Sequence, residues 1–578
     1  MKTSPESVPS IQKDSGAAAI PTTATEALDM GNGWPESMVE EFMTLIEMGT
    51  FTYHKKSEVA PGEKILKNKW IFKDKGDRKK TRLVAAGYLQ QFGTDYFESY
   101  SAVVASESFR VGIALNAYTG HDLIKYDAKN AYVMSDLSLE EQQWMFQPDH
   151  LEVKHDDDAI AVLLKAIGVE IPTCEEGDEL ILRLRKSLYG LVAAGRLFNK
   201  YVVAWALRIG FMQLRTDECI FIFDKEVKLS DGTTQRFTII LFIYVDDCMM
   251  DPSSKEAAKW FDTQWKLTFK SSANSGGIAD FILGICIRRN RALKTITLTQ
   301  THYIEDLARI YGQDTGRDYE TPMATTFDPT YEPELPHIDL VKFPYRRIMG
   351  KLLFTPTRPD VACSVNELTR HMEHPQSKHW DAALRIVRYL YVTKEMGLTY
   401  CGALPSYVQN KVLGHSDATW ASDKETSKSR AGWVIKLNGA SVMWGSRMIH
   451  TVCMSSAESE TSAAVMCTKD MLNMRLLLWE LGYEQIGSSP ISADNQATVK
   501  SASGNAQSKQ SKYYQMRTSF LRHYVRLGKI HFGYIPGAEQ IADQLTKAQP
   551  TARFKEHRAA ILGRPAGHVR RVKQRKQT

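Results

Sequence analysis

The chain has 578 residues, of which 43% are hydrophobic and 24% charged, the make-up of a globular protein with roughly three or four domains. Its net charge of +6, from 73 Lys and Arg against 67 Asp and Glu, is too mild to single out a nucleic-acid binder and does not argue against one. The eight cysteines are scattered without a CxxC pair, which argues against structural zinc and suits a reducing compartment, and no apolar run is long enough to cross a membrane.

The N-terminal stretch is rich in Ser, Thr, Pro and Ala and lacks the apolar segment of a secretory signal, so residues 1–33 are expected to be a disordered leader. Order is expected from Trp34, where "WPESMVEEFMTLIEMGTF" sets Met38, Phe42, Leu45 and Ile46 at helical spacing. "KWIFKDKGDRKKTRLVAAGY" reads as two short strands around a turn at Lys75, Gly76 and Asp77. This hairpin is basic, carrying Lys73, Lys75, Arg78, Lys79, Lys80 and Arg82. "SESFRVGIALNAYTG" reads as a helix closed by Gly120. "HDLIKYDAKNAYV" reads as a strand turning into a helix, and Asp-rich "HDDDAIAVLLKAIGVEIPTCEEGDE" as a surface insertion. A loop and long helix follow in "LRLRKSLYGLVAAGRLFNKYVVAWALRIGF", then two strands in "SDGTTQRFTIILFIYVDDCMM". Beyond a polar stretch near Asp328 to His337, "PYRRIMGKLLFTPTRPDVACSVNELTRHM" and "KHWDAALRIVRYLYVT" read as helices, and a strand-rich unit opens at "LGHSDATWASD". The end, "HVRRVKQRKQT", is a short basic tail expected to be solvated.

Asp246 and Asp247 stand inside an otherwise apolar run. Buried carboxylates are costly unless paired or metal-bound. Two unit charges about 4 Å apart repel by roughly 4 kcal/mol at an effective dielectric near 20, and a divalent cation reverses that sign. Mg²⁺ takes hard oxygen ligands, and Asp127 follows an apolar strand in the same chemical setting. Asp127, Asp246 and Asp247 are therefore candidate ligands of a two-metal phosphoryl-transfer site. A hairpin turn is the plain alternative for an Asp-Asp pair taken alone.

A second acidic set lies downstream. Asp417 sits in a strand behind Val412 and Leu413. "SSAESETSAAVMCTKDMLNMRLLLWELG" reads as a long helix ending at Gly482, whose apolar stripe runs through Ala463, Ala464, Cys467, Met471, Met474 and Leu478. Glu460 lies on that stripe and Glu458 does not, so Glu460 is the better ligand candidate. Asp494 ends a strand before a helix starting at Asn495, and Asp543 is expected on a final helix.

"YVDD" resembles the reverse transcriptase signature. "TRLVAAGY", "YDAKNAY", "RKSLYGL", "DECIFI", "TRPDVACSVNELTR", "HWDAALRIVRYL", "SDATWASD", "SSAESE", "ADNQ" and "EQIADQLTK" resemble, in order and spacing, copia-type LTR retrotransposon polyproteins from Trp34 onward. The resemblance implies an α+β and α/β multidomain chain. Right-hand polymerase fingers and palm would span 34–310, a mostly helical thumb or connection 311–410, a ribonuclease H-like domain 411–565 and a basic tail 566–578. It implies two Mg²⁺ (or Mn²⁺) per active site, held by Asp127, Asp246 and Asp247 and by Asp417, Glu460, Asp494 and Asp543. It implies RNA-directed DNA synthesis and cleavage of the RNA in a hybrid. RNA template, DNA primer, RNA–DNA hybrid and deoxynucleoside triphosphates are the expected partners, with a second copy of the chain or an integrase beside them. The expected place is a cytoplasmic virus-like particle or the nucleus. Tyr132 falls at the family's aromatic position that blocks a ribose 2′-hydroxyl, with core packing the plain alternative. Lys80, Arg82 and Arg196 fall in the fingers, over triphosphate and template.

Nothing resembles the family's nucleocapsid, protease or integrase, so the chain is expected to be the polymerase–ribonuclease H part alone. Val192, Ala193, Ala194 and Gly195 replace the family's Lys-Gln-Ala-Pro, Met134 and Ser135 an Asn-Gly, Ala86 a Lys, and "KYYQMR" a Lys-His-Ile-Asp/Glu stretch. These losses leave an alternative open: a decayed element whose product binds nucleic acid without catalysis.

Overall fold

The computed structural model describes residues 20–154, 158–173, 178–229, 232–269, 275–504 and 514–564. The basic tail and residues 1–19 of the expected leader lie outside the described residues. The described part of that leader carries a helix, Ala24–Met30, with the Thr23 side chain as its N-cap. Ala24 and Ala27 are buried in one core with the helix Trp34–Glu47, so order begins upstream of Trp34. The Thr cap and the two alanines, small enough to permit close approach, are the signals that a composition-based reading averages away.

The basic hairpin forms as expected: Asn68–Asp74 pairs antiparallel with Lys79–Ala85, Lys73 opposite Lys80. It lies on the helix Trp34–Glu47, where the Thr81 hydroxyl donates to the Ser37 carbonyl at 2.6 Å and Trp34 meets Phe72 edge-on. A four-stranded sheet, Phe51–Lys55, Leu180–Leu184, Trp144–Phe146 and Ile65–Leu66, shares that core. The Asp-rich segment is more than a surface insertion. Its helix Ala159–Ala166 buries Ala161 and Leu164 in the same core, while residues 155–157 and 174–177 lie outside the described residues.

The next sheet has six strands, in the order Gly277–Ile278, Ile124–Asp127, Asp247–Pro252, Thr234–Tyr244, Ile220–Lys228, Met212–Gln213. Its central hairpin is apolar without alternation because both faces are covered. Ile240, Phe242 and Met249 enter the core with the helix Ser106–Thr119, capped by Gly120. Leu241, Ile243, Cys248 and Met250 enter another, under the helices Ala194–Arg208 and Lys255–Lys266. The Asp pair thus sits on a rigid, doubly packed hairpin.

The helices Thr301–Ile310, Tyr345–Leu353, Ala362–Thr369 and Ser377–Val392 pack together. They are flanked by strands that pair, Thr295–Thr299 with Leu398–Cys401. The boundary expected at 310/311 therefore cuts through a unit that a long-range strand pair closes. Inside it the Arg358–Asp360 ion pair is fully buried at 2.8 Å, and the Tyr389 hydroxyl donates to Asp360 at 2.6 Å. Removing one partner of a buried pair strands the other charge at about 3–5 kcal/mol. Asp360→Ala is expected to cost that much, read as a lower denaturation midpoint.

The last unit is a five-stranded mixed sheet. Ala440–Met448, Arg430–Leu437 and Leu413–Thr419 run antiparallel, and Ser489–Ala493 and Ile530–Tyr534 continue parallel to Leu413–Thr419. The helix Ser456–Glu480 lies across one face, and Gly482 follows it at φ +85°. One core runs from the helix Ser106–Thr119 into this unit. Buried Arg110 donates from Nε to the Val442 carbonyl at 2.7 Å, and the Glu480 carboxylate accepts the Arg215 and Thr216 amides at 2.9 and 3.0 Å.

Candidate active sites

Two residues, Val245 and Asp246, form the turn between paired Tyr244 and Asp247. Val245 has φ +55°, a left-handed conformation that costs a β-branched residue about 1–3 kcal/mol and tends to mark functional turns. Across the sheet Asp247 pairs with Asp127, and the Ala128 amide approaches the Asp246 carbonyl at 3.4 Å. Burial, then Asp246 and Asp127, push the Asp247 carboxyl up against the pull of Lys125. A cavity of about 340 Å³ opens here, lined by Phe109, Tyr132, Tyr244, Asp246, Asp247 and others.

Tyr132 is half-buried, edge-on to Tyr189 at 5.1 Å, and its phenol is pushed up by burial and by Asp246. The Arg82 guanidinium lies over the Tyr189 ring at 4.6 Å. Lys80 is half-buried, its ammonium pushed down by burial and by Arg82. Lys79 is paired with Asp74 at 2.6 Å. The structure corrects the expectation for Arg196. Its buried guanidinium already lies on Glu141 at 2.6 Å and Glu98 at 3.3 Å, so it is not offered to a phosphate.

The second acidic set converges more tightly. Ligand oxygens of Asp417, Glu460 and Asp494 lie within 4.8 Å of one another, the one such acidic set among the described residues, and Asp127, Asp246 and Asp247 do not match it. Asp417 is buried on its strand, Glu460 reaches in from the helix, and Asp494 follows the strand Ser489–Ala493. Glu458 is as buried but serves elsewhere, accepting the Met454 amide at 2.9 Å and Arg517 at 3.2 Å.

Asp543 lies on a short 3₁₀ turn, Ile541–Leu545, and not on the final helix, which runs Thr551–Leu562. That turn packs directly on the strand pair bearing Asp417. Gly432, the cross-strand partner of Asp417, permits it: a Cβ there would stand 2.9 Å from the Ala542 carbonyl oxygen. The Thr546 hydroxyl donates to Asp417 Oδ2 at 3.0 Å, and Lys547 Nζ contacts Asp543 Oδ1 at 2.5 Å.

Burial first, then Asp543 and Asp494, push Asp417 above the usual carboxylate range; burial, then Asp417 and Asp494, do the same to Glu460. Glu460 Oε2 is buried without a hydrogen-bond partner. An all-oxygen donor set, an orphaned oxygen and mutual repulsion together fit a hard divalent cation. Sequence reasoning missed Lys547, Gln549 and His557. Lys547 had a signal, four residues beyond Asp543; Gln549 and His557 had none.

Residues 53–170 match the reverse transcriptase (RNA-dependent DNA polymerase) family. The chain is 28% identical over 541 residues to the retrovirus-related Pol polyprotein from transposon TNT 1-94 of Nicotiana tabacum, covering 90% of this chain and 37% of that one. It is 26% identical over 550 residues to the Pol polyprotein from transposon RE2 of Arabidopsis thaliana, covering 93% of this chain and 34% of that one. Over most of its length the chain is similar to copia-type retrotransposon Pol polyproteins. The chain spans about a third of the length of those relatives. Ribonuclease H1 from Halobacterium salinarum NRC-1 matches 24% of this chain and 94% of its own, at 17% identity and a TM-score of 0.19.

Proposed function

We propose that the chain is an RNA-directed DNA polymerase with ribonuclease H activity, acting on RNA template, DNA primer and the RNA–DNA hybrid they form. Convergence of Asp417, Glu460 and Asp494 beside Asp543 carries the nuclease half. The strained turn that sets Asp246 and Asp247 beside Asp127 supports the polymerase half. These acids hold the divalent metal, which when bound makes a hydroxyl or water a better nucleophile and offsets charge on the phosphate. Tyr132 walls the cavity beside Asp246, where it excludes a ribose 2′-hydroxyl. Arg82 and Lys80 contact the incoming triphosphate, and Arg82 is aligned by stacking on Tyr189. The cytoplasm, within a particle, is the proposed place of action.

Purified protein with Mg²⁺ should extend a DNA primer on an RNA template and cleave the RNA of a hybrid. Neither product at any Mg²⁺ concentration overturns the proposal. A second reading, nucleic-acid binding and cleavage without synthesis, draws on Arg196 being held by Glu98 and Glu141 and on Ala193 where the family has Gln. It predicts cleavage without extension.

Affinity should come mainly from phosphate contacts and fall steeply with salt, each neutralised phosphate adding about 0.9 to the slope of log affinity on log salt. Changing Lys79, Lys80 and Arg82 together to Ala should flatten that slope and raise the KM for nucleotide, with Lys79 contributing least because Asp74 holds it. RNA cleavage on a short hybrid should change less. An unaltered slope and KM would remove the hairpin from the binding channel.

A further inference from the structure

The geometry points to Gln549 and His557 as positioning residues of the nuclease site, a buried brace that orients Asp543; the inference rests on the proposed nuclease reading. Both side chains are 3% exposed. Gln549 Nε2 lies 2.9 Å from Asp543 Oδ2 and 3.0 Å from His557 Nδ1. Turning the amide over would set its carbonyl oxygen against a carboxylate, so the nitrogen faces Asp543 and its two hydrogens go one to each partner. His557 Nδ1 then accepts, which puts the ring proton on Nε2, where it donates to the Ala538 carbonyl at 3.1 Å. The chain of contacts is closed. The helix Thr551–Leu562 is anchored through buried Phe554 and Ile561, its His557 holds Gln549, and Gln549 holds Asp543.

Two details favour a role for this brace beyond packing. Gln549 Oε1 is buried without a partner, a cost accepted so that the amide nitrogen can face the acid. Gln549 is also the directional donor on Oδ2, with Arg553 Nη1 farther off at 4.0 Å, while the Lys547 ammonium pairs with Oδ1, so each oxygen has its own partner. Asp543 is therefore held in one orientation beside Asp417, whose carboxyl feels its charge. Hydrogen-bonded neighbours of metal ligands typically change metal affinity about 10–100-fold when lost.

The test uses the full chain and reads Mn²⁺ binding by the free-ion electron paramagnetic resonance signal, with Asp417→Asn identifying the nuclease-site component. Gln549→Leu is expected to weaken that component about tenfold or more. It should raise by the same factor the Mg²⁺ giving half-maximal RNA cleavage, and leave the Mg²⁺ dependence of DNA synthesis alone. His557→Asn keeps an acceptor near Nδ1 and should lose less than His557→Leu. Unchanged Mn²⁺ affinity in Gln549→Leu overturns the brace, as does a parent with no Asp417-dependent Mn²⁺ component. If Gln549→Leu does not fold, equal losses in the two His557 variants overturn it. A parent that cleaves no RNA yet binds Mn²⁺ in a manner dependent on Asp417 and Gln549 sinks the nuclease reading and leaves the brace standing.

Discussion

Glu460→Gln should abolish RNA cleavage in a hybrid, and Glu458→Gln should leave it near the parent level. Burial does not separate the two acids, since each is 7% exposed. Their partners do. Glu458 is satisfied by the Met454 amide and Arg517, whereas Glu460 offers a bare oxygen to Asp417 and Asp494. Loss of one preorganised charge contact at a reacting centre costs about 10²-fold or more. The same variant carries a second signature. The Glu460 carboxyl is raised in the folded chain by burial, Asp417 and Asp494, so the folded state holds its proton more tightly than the unfolded state. Stability is then highest below the ordinary carboxylate value and is lost as pH climbs through the raised one. A carboxyl raised by one pH unit costs about 1.4 kcal/mol above that range. With chelator at pH 8, Glu460→Gln should therefore melt above the parent, at pH 5 the gap should shrink, and added Mg²⁺ should favour the parent. Cleavage by Glu460→Gln and loss in Glu458→Gln would reverse the assignment of the two acids.

What the sequence made legible was local. The hairpin around Val245 and Asp246 follows from two apolar runs meeting at a two-residue turn, and Gly120 closes its helix where expected. Glu460, chosen from the helix stripe, does converge with Asp417 and Asp494, although the stripe gave no hint that Glu458 is buried too. The misplaced features depend on distant partners. Arg196 reads as a free cation until the fold brings Glu98 and Glu141 to it, and nothing local encodes that meeting. The break at 310 looked natural because helices follow it, but Leu398–Cys401 returns to pair with Thr295–Thr299. Asp543 seemed helical because "AEQIADQLTK" is polar–apolar at a suitable spacing. Packing on Gly432 holds it instead in a short turn, which the Pro550 at the N-cap separates from the helix that follows.

Asp246→Asn should end DNA synthesis, a loss of about 10²-fold or more, while affinity for a primed RNA template stays close to that of the parent. The substitution keeps the volume and removes only charge, so the Tyr244–Asp247 pairing that forms the turn should persist. Asp246 stands at the tip of that turn and lines the cavity together with Tyr132, Tyr244 and Asp247. Binding should survive because it rests on cations such as Arg82 and Lys80, which the substitution does not touch. Asp127→Asn should match it. Asp247→Asn should lose less, because burial and two neighbouring acids push the Asp247 carboxyl up, against its carrying charge. RNA cleavage should be retained in all three variants, since Asp417, Glu460 and Asp494 gather around another sheet and its covering helix. Primer extension and hybrid cleavage measured on one preparation decide the matter. Extension by Asp246→Asn at the parent rate would remove the hairpin from the polymerase chemistry, and joint loss of extension and cleavage would show that the two acidic sets do not act separately.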